Sequence, residues 1–214
     1  MKRVYKHKTT RFLDLVAPFY GLLLKIAGDS HARFREKCLN LANLTNNQRV
    51  LDIGCGTGEL LLTITRRLKS NRIFGIDVSP NMIEIARQKT LLEDYGQVRL
   101  ILGNCCSLPY KENCFDVVFS NIMFHHLDVE EKLQTVKETY RILKPGGNYI
   151  SAEFGSRARI WLQKRFTHGE WTLDPAHFEQ AGFKLLYQEL SRAIWRKKIF
   201  FRVARKDEEN EGEN

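Results

Sequence analysis

Three glycines at alternate positions, Gly54, Gly56 and Gly58, separate a short apolar run from a segment whose leucines have helical spacing. A glycine turn between a strand and a helix exposes backbone N–H groups at the positive end of the helix dipole. Glycine also lacks a Cβ atom, so a ligand can approach the main chain closely. This spacing predicts that the turn binds a small ligand that carries negative charge.

The spacing also narrows the kind of ligand. A dinucleotide fingerprint reads G-x-G-x-x-G, but here the third glycine comes one residue early and Glu59 follows it, and no G-K-[ST] closes a phosphate loop. Asp77 stands 19 residues beyond Gly58, at the end of the next predicted strand, where a carboxylate can accept hydrogen bonds from both ribose hydroxyls. The pattern therefore favours an adenosine-like ligand over a nicotinamide dinucleotide.

Residues 50–58 resemble the first motif of class I S-adenosylmethionine-dependent methyltransferases. Residues 75–82, 102–109 and 141–147 resemble, in order, that family's ribose-binding motif, its adenine-binding segment and its late helix-to-strand turn. The motifs follow the family's order over about residues 49–154. The resemblance implies S-adenosyl-L-methionine as the cofactor and S-adenosyl-L-homocysteine as its product.

Carried over position by position, the resemblance also implies roles for single residues. The glycine turn packs against the methionine part of the cofactor, Asp77 holds the ribose and Met82 lies along the adenine, although a core role for Met82 is equally open. Asn104 and Cys105 stand where many members have Asp-Ala, and an Asn carbonyl can still accept a hydrogen bond. The implied cofactor-binding set is Asp52, Gly54, Gly56, Thr57, Gly58, Asp77, Met82, Asn104, Cys105 and Asn121.

Methyl transfer from a sulfonium chiefly needs alignment of the acceptor and exclusion of water. Three side chains are candidates for assisting it as catalytic residues: Tyr20, His126 and Glu153. His126 follows the fourth predicted strand and Glu153 ends the fifth, at the carboxyl edge where open α/β sheets bind ligands. A turn-stabilising histidine and a solvated strand-end carboxylate are the alternatives. No third ligand has useful spacing, so no metal is expected.

Residues 12–20 and Glu153-Phe154 resemble segments of the quinone-biosynthesis C-methyltransferases, but Gly21 replaces their usual Asp and residues 155–173 form a shorter insertion. Arginines and lysines alternate with Trp161 and Phe166 in that insertion, which predicts an anionic acceptor. The expected function is therefore methyl transfer by in-line displacement to a small-molecule or lipid-like acceptor. The alternatives are an RNA or protein methyltransferase and a non-catalytic S-adenosylmethionine-binding partner protein.

The elements that must position these residues alternate between strands and helices. Two strand-like runs near the end have no helix between them, so they should pair antiparallel. This predicts an α/β fold with a doubly wound, mostly parallel seven-stranded sheet of the Rossmann-like methyltransferase type and an antiparallel C-terminal hairpin. The predicted strands are 49–53, 72–77, 98–102, 115–120, 148–154, 183–190 and 195–204, and the helices are 59–68, 81–92, 129–143 and 175–180.

The length of 214 residues fits one domain. We expect a methyltransferase domain over residues 1–206, followed by a disordered acidic tail over 207–214. Within the domain we expect an N-terminal helical lid (1–44), a cofactor-binding core (45–154) and an acceptor-side insertion with C-terminal strands (155–206).

The net charge of +9 is concentrated in basic flanks, while the middle of the chain is near neutral. Such flanks suit an anionic substrate, nucleic acid or, through residues 1–27, the surface of an anionic membrane. The apolar stretch 13–26 is too short to span a bilayer. Five cysteines without a C-x-x-C pair, and no secretion signal, predict reduced thiols and a cytoplasmic protein of undetermined oligomeric state.

Overall fold

The computed structural model describes residues 14–15, 17–18, 29–68, 72–92, 98–154, 173–192 and 198–208. Their strands are β1 (Val50–Ile53), β2 (Ile73–Asp77), β3 (Val98–Leu102), β4 (Phe115–Asn121), β5 (Leu143–Phe154), β6 (Phe183–Arg192) and β7 (Lys198–Lys206). Their helices are α1 (Asp29–Ala42), α2 (Glu59–Arg67), α3 (Pro80–Leu92), α4 (Val129–Ile142) and α5 (Pro175–Gln180), with a 3₁₀ turn at Phe124–His126.

The seven strands form one sheet in the order β3-β2-β1-β4-β5-β7-β6. Neighbouring strands from β3 to β5 are parallel, whereas β7 is antiparallel to both β5 and β6. The predicted mostly parallel sheet with an antiparallel C-terminal pair is therefore confirmed. Because the chain leaves β1 towards β2 and later returns to β4 on the other side, a crevice opens between the carboxyl ends of β1 and β4.

Helices cover both faces of the sheet. On one face α1, α2 and α3 bury Phe34, Ile64 and Ile83 against strand residues such as Phe119 and Phe201. On the other face α4 and α5 pack on a second cluster. The doubly wound prediction is confirmed, and the switch-point crevice lies between these two layers.

Side-chain caps fix where the helices begin. The Ser79 hydroxyl accepts a hydrogen bond from the N–H of Met82 at 3.1 Å, as expected for the N-cap of a helix with Pro80 at its first position. Asp128 and Glu131 form a capping box at the start of α4. Several boundaries differ from the prediction by one to three residues, and the largest difference is at β5, which begins at Leu143 rather than at Asn148 and pairs with Phe115 there.

Several expectations fall outside the described residues. These are Tyr20, most of the N-terminal lid, the insertion residues 155–172 with their basic side chains, and the tail from residue 209. Within the described ranges, no helix is long and apolar enough to cross a membrane.

Candidate functional site

The glycine turn after β1 has left-handed backbone geometry at all three glycines. Gly54, Gly56 and Gly58 have φ angles of +70°, +52° and +81°, which L-residues with a Cβ rarely adopt. The N–H groups of Gly54 and Cys55 both donate to the Ile76 carbonyl, at 2.8 and 3.1 Å. The turn is thereby held beside the end of β2, and Gly58 forms the N-cap of α2.

The three glycines differ in what surrounds them. A Cβ on Gly54 would lie 2.9 Å from Cβ of Met123, and one on Gly58 would lie 3.2 Å from Cβ of Ala86. A Cβ on Gly56 would meet no atom within 4 Å. Gly54 and Gly58 therefore allow close packing of the turn, whereas Gly56 presents bare main chain to open space where a ligand can lie.

Asp77 at the end of β2 holds the glycine turn to the start of α3. Its Oδ2 accepts a hydrogen bond from the N–H of Gly56 at 2.8 Å, and its Oδ1 accepts one from the N–H of Ser79 at 2.9 Å. The side chain is nearly buried, at 8% exposure. Burial raises the pKa of Asp77 above its ordinary value, against the lowering effect of the hydrogen bonds.

A second buried acid, Asp52, lies in β1 below the turn. It is 3% exposed, and burial together with the nearby Asp77 raises its pKa well above the ordinary value. Among the described residues, no Lys, Arg or His forms an ion pair with Asp52 or Asp77. Two buried acids without a cation make the crevice favourable for a positively charged ligand group.

Two buried donors in the same part of the fold lack partners within the described structure. They are the hydroxyl of Thr57, in the glycine turn, and the side-chain N–H₂ of Asn121, at the end of β4. The carbonyl oxygen of Asn121 already accepts from the Cys38 thiol at 3.6 Å. Unsatisfied buried donors favour a ligand carboxylate. The crevice therefore fits a nucleoside that carries a zwitterionic amino-acid group, as S-adenosyl-L-methionine does.

The residues expected to contact the adenine lie at the start of α3 and in the turn after β3. Met82 is buried but belongs to neither described core cluster. The side-chain oxygen of Asn104 accepts from the N–H of Cys106 at 3.0 Å and from the Cys105 thiol at 3.6 Å. The oxygen expected to face the ligand is thus already engaged within its own turn.

Two side chains of α4, Glu138 and Arg141, hold the segment that follows this turn, and we call this pair the buttress. The sequence did not reveal it. The guanidinium of Arg141 donates to the carbonyls of Tyr110 and Leu108, at 2.8 and 3.1 Å. Glu138 accepts from the N–H of Leu108 at 2.8 Å and from Arg141, whose side chain lowers the pKa of Glu138. The sequence showed Arg141 only as part of a helix-to-strand motif.

A second polar group lies at the ends of β4 and β5. The Glu153 side chain is 0% exposed, and its Oε1 accepts hydrogen bonds from the N–H groups of Met123 at 2.8 Å and Phe124 at 3.2 Å. Burial raises the pKa of Glu153 to about 8. Glu153 is therefore not the solvated strand-end carboxylate considered as its alternative, and it holds the turn that contacts Gly54.

The neighbouring histidines have different surroundings. Nδ1 of His125 lies 3.9 Å from Oε2 of Glu153. The half-buried His126 contacts His125, with ring centroids 3.9 Å apart and ring planes tilted by 42°. Sequence analysis singled out His126, but the structure brings His125 next to Glu153. The two adjacent histidines in the sequence indicated that one of them could take part in the site. Only the path of the 3₁₀ turn decides which of the two rings lies next to Glu153. Within the described residues, no three His, Cys, Asp or Glu side chains cluster as metal ligands would.

Comparison with known proteins shows the family of this chain. Residues 50–147 match the protein family described as a methyltransferase domain. The demethylmenaquinone methyltransferase of Bacillus licheniformis is 36% identical over 148 residues, which cover 66% of this chain and 62% of that protein. The ubiquinone/menaquinone biosynthesis C-methyltransferase UbiE of Geotalea daltonii is 34% identical over 167 residues, which cover 75% and 68%. The chain thus spans less than two thirds of the Bacillus protein's length.

Solved structures share the fold at lower identity. The [4+2]-cyclase SpnF aligns with a TM-score of 0.76 and 21% identity, over 95% of this chain and 96% of that chain. At this identity the likeness shows the fold alone, since one fold supports different chemistries. The comparisons confirm the resemblance and the fold class expected from the sequence.

Proposed function

Because this chain belongs to the class I S-adenosylmethionine-dependent methyltransferases, we propose that it is an enzyme that transfers a methyl group from S-adenosyl-L-methionine to a small-molecule acceptor. The observation that carries the proposal is the crevice at Gly56, where open space adjoins the buried acids Asp52 and Asp77. A bound zwitterion would bring an ammonium group to the two buried acids and a carboxylate to the donors of Thr57 and Asn121, which have no partner among the described residues.

In this proposal, different groups of described residues bind different parts of the cofactor. We propose that Gly54, Gly56 and Gly58 bring bare backbone to the amino-acid part, and that Asp77 accepts from the ribose hydroxyls. We assign the adenine to the surface made by Met82 and the turn after β3. When bound, S-adenosyl-L-methionine supplies a methyl group on a sulfonium sulfur that leaves as a neutral thioether. The chain's own task is to align the acceptor and exclude water. The remaining members of the set, Asp52, Thr57, Asn104, Cys105 and Asn121, line the same crevice in this proposal.

We propose that the histidine pair accepts the proton that the acceptor loses. The half-buried His126 is placed to accept that proton, and the adjacent His125 and the carboxyl group of Glu153, once ionised, stabilise the positive charge. The 3.9 Å separation of His125 Nδ1 and Glu153 Oε2 supports this role, since an ion pair forms at that distance once the imidazole is protonated. Tyr20 remains a catalytic candidate outside the described residues.

For the acceptor, we propose a small aromatic hydroquinone with an apolar substituent. The support is the names of the relatives in Bacillus licheniformis and Geotalea daltonii, which act on quinones. A hydroquinone is also a weak acid that ionises to an anion. It therefore agrees with a proton-accepting histidine pair and with the basic flanks of the chain.

The test is transfer of label from methyl-labelled S-adenosyl-L-methionine. The chain is incubated with a reduced demethylated naphthoquinone, with total RNA and with total protein, and Asp77→Ala serves as the negative control. The proposal is supported if the wild type transfers label to the quinol and Asp77→Ala does not. Label in RNA or protein alone overturns the acceptor. Cofactor binding by calorimetry without transfer to any acceptor would favour a non-catalytic binding protein.

A further inference from the structure

Two buried polar atoms of opposite kind lie near the histidine pair without hydrogen-bond partners in the described part of the chain. They are the donor Nη1 of Arg202, in β7, and the acceptor Oε2 of Glu153, near the end of β5. Arg202 is 2% exposed and Glu153 is 0% exposed. Buried polar groups in folded proteins are nearly always hydrogen-bonded, and charged ones most of all. Each of the two atoms can therefore bind a polar partner.

The register of the sheet places both side chains on one face. Ser151 of β5 pairs with Arg202 in the antiparallel ladder of β5 and β7. Glu153 lies two residues beyond Ser151, and residues two apart along a strand share a face. Glu153 and Arg202 are thus diagonal neighbours, a relationship that long side chains can bridge. In agreement, burial lowers the pKa of Arg202 while the nearby Glu153 acts to raise it.

Separate contacts hold the two groups apart. Nε of Arg202 donates to Oε1 of Gln188 in β6 at 2.7 Å, and its guanidinium carbon lies 4.6 Å from the ring centroid of Phe200. Oε1 of Glu153 is held by two backbone N–H groups of the turn after β4. Among the described contacts, no ion pair or hydrogen bond joins Arg202 to Glu153. One donor and one acceptor are thereby fixed in position for a group that binds to both.

We propose that Nη1 of Arg202 and Oε2 of Glu153 bind one hydroxyl group of the methyl acceptor, and that they select a diol acceptor over a mono-ol. The inference rests on the proposed function, because it assigns the second hydroxyl group of the same hydroquinone. Oε2 of Glu153 lies 3.9 Å from Nδ1 of His125, which contacts His126. The site for the second hydroxyl group thus adjoins the histidines assigned to the proton of the first.

A hydroxyl group suits these two atoms in either protonation state of Glu153. Its oxygen accepts a hydrogen bond from Nη1, and its proton is donated to Oε2 when the carboxyl group is ionised. When Glu153 is protonated, its own O–H donates to the hydroxyl oxygen instead. Burial raises the pKa of Glu153 to about 8, so both forms occur slightly above neutral pH. A ring hydrogen at the same position offers neither a donor nor an acceptor, which is why the pair should reject a mono-ol.

The first test compares two acceptors with the wild-type chain under anaerobic, reducing conditions. One is a symmetric naphthoquinol with two para hydroxyl groups, and the other is the naphthol that lacks one of them. Transfer from methyl-labelled S-adenosyl-L-methionine gives the KM of each. We expect the KM of the naphthol to be about tenfold higher or more, since a site that hydrogen-bonds a hydroxyl group discriminates against an analogue without it. Equal KM values would overturn the proposal.

The second test asks whether Arg202 causes this selection. Arg202→Met should raise the KM of the naphthoquinol about tenfold and leave the KM of the naphthol unchanged, whereas Arg202→Lys keeps the charge and should retain part of the selection. Arg205→Met, at an exposed position of the same strand, is the matched control. An equal rise for both acceptors in Arg202→Met would show a merely structural role and overturn the proposal. Gln188→Leu removes the bond that orients the guanidinium, and it takes the place of Arg202→Met if that variant does not fold.

Calorimetric titration of the two compounds, with S-adenosyl-L-homocysteine present, separates this inference from the proposed function. Tighter binding of the naphthoquinol than of the naphthol, with the difference lost in Arg202→Met, supports the hydroxyl site even where no methyl group is transferred. If the wild type methylates neither compound, the proposed acceptor is wrong. Equal Kd values for the two compounds, or binding of neither, would overturn the hydroxyl site and indicate that water alone fills the space between the two groups.

Discussion

The carboxylate of Asp77 accepts a hydrogen bond from the backbone N–H of Gly56 at 2.8 Å. This bond joins the end of β2 to the open position of the glycine turn, so the residue that we assign to the ribose also shapes the surface that we propose for the cofactor. Loss of the side chain should therefore act on affinity in two ways, through the missing ligand contact and through the altered turn.

Asp77→Ala should weaken cofactor binding by about 1–3 kcal/mol, because charge-assisted hydrogen bonds are lost. Asp77→Asn keeps an oxygen that can accept from Gly56, so a smaller loss is expected. Calorimetric titration with S-adenosyl-L-homocysteine measures both. Glu84→Ala, on the exposed side of α3, is the matched control. Wild-type affinity in Asp77→Ala would contradict the ribose role.

Alanine at Gly54 and at Gly56 should have different effects. Both positions have positive φ, so each substitution strains the backbone by about 1 kcal/mol or more. Gly54→Ala also places Cβ 2.9 Å from Met123 and should lose more stability, measured by urea unfolding. Gly56→Ala meets open space and should fold, yet its methyl group should reduce cofactor affinity more than tenfold. A Gly56→Ala protein with normal affinity would show that the ligand does not lie there.

Arg141→Met should loosen the segment between β3 and β4 from α4. Two carbonyls and Glu138 lose their donor, so we expect a loss of about 1–3 kcal/mol in the free energy of unfolding, with weaker cofactor binding. Chemical denaturation and calorimetry measure the two effects. Lys137→Met, at an exposed position of the same helix, is the control. Unchanged cofactor affinity in Arg141→Met would mean that this buttress does not shape the adenine side.

Glu153→Gln should remove one pH dependence of stability. The ordinary pKa of 4.5 applies in the unfolded chain, and burial raises the pKa of Glu153 in the fold to about 8. Between these values the unfolded chain releases a proton that the folded chain keeps, so wild-type stability falls as pH rises. The variant should gain stability relative to the wild type by at most about 1.4 kcal/mol per pH unit in this window, and no more above it.

Urea unfolding of both proteins from pH 5 to pH 9 (about one measurement per unit) checks this difference. Asp52 and Asp77 also have raised pKa values, but they are present in both proteins and their contributions cancel in the difference. Glu84→Gln should show no such trend against the wild type. A difference between Glu153→Gln and the wild type that stays constant over this range would contradict the burial of an ionisable Glu153.

Local patterns sufficed to predict most of the sheet and the glycine turn at the end of β1. The strand before Gly54, the left-handed glycines and the Ser79-Pro80 start of α3 depend on neighbouring residues, so their types and spacing reveal them. The antiparallel pairing of β6 and β7 followed from the absence of a helix between them. The assignment of single residues to the cofactor and to catalysis stays a prediction.

The sequence by itself determined the order of strands and helices along the chain, the glycine turn with the acid that follows it, and the family. Each of these properties depends on the residue types within short contiguous segments. Only the tertiary structure decided that β7 lies between β5 and β6, that Arg141 supports the segment after β3, and that His125 rather than His126 lies beside Glu153. Each of these depends on contacts between residues far apart in the chain, or on which way a short turn directs adjacent side chains, and no local periodicity encodes either.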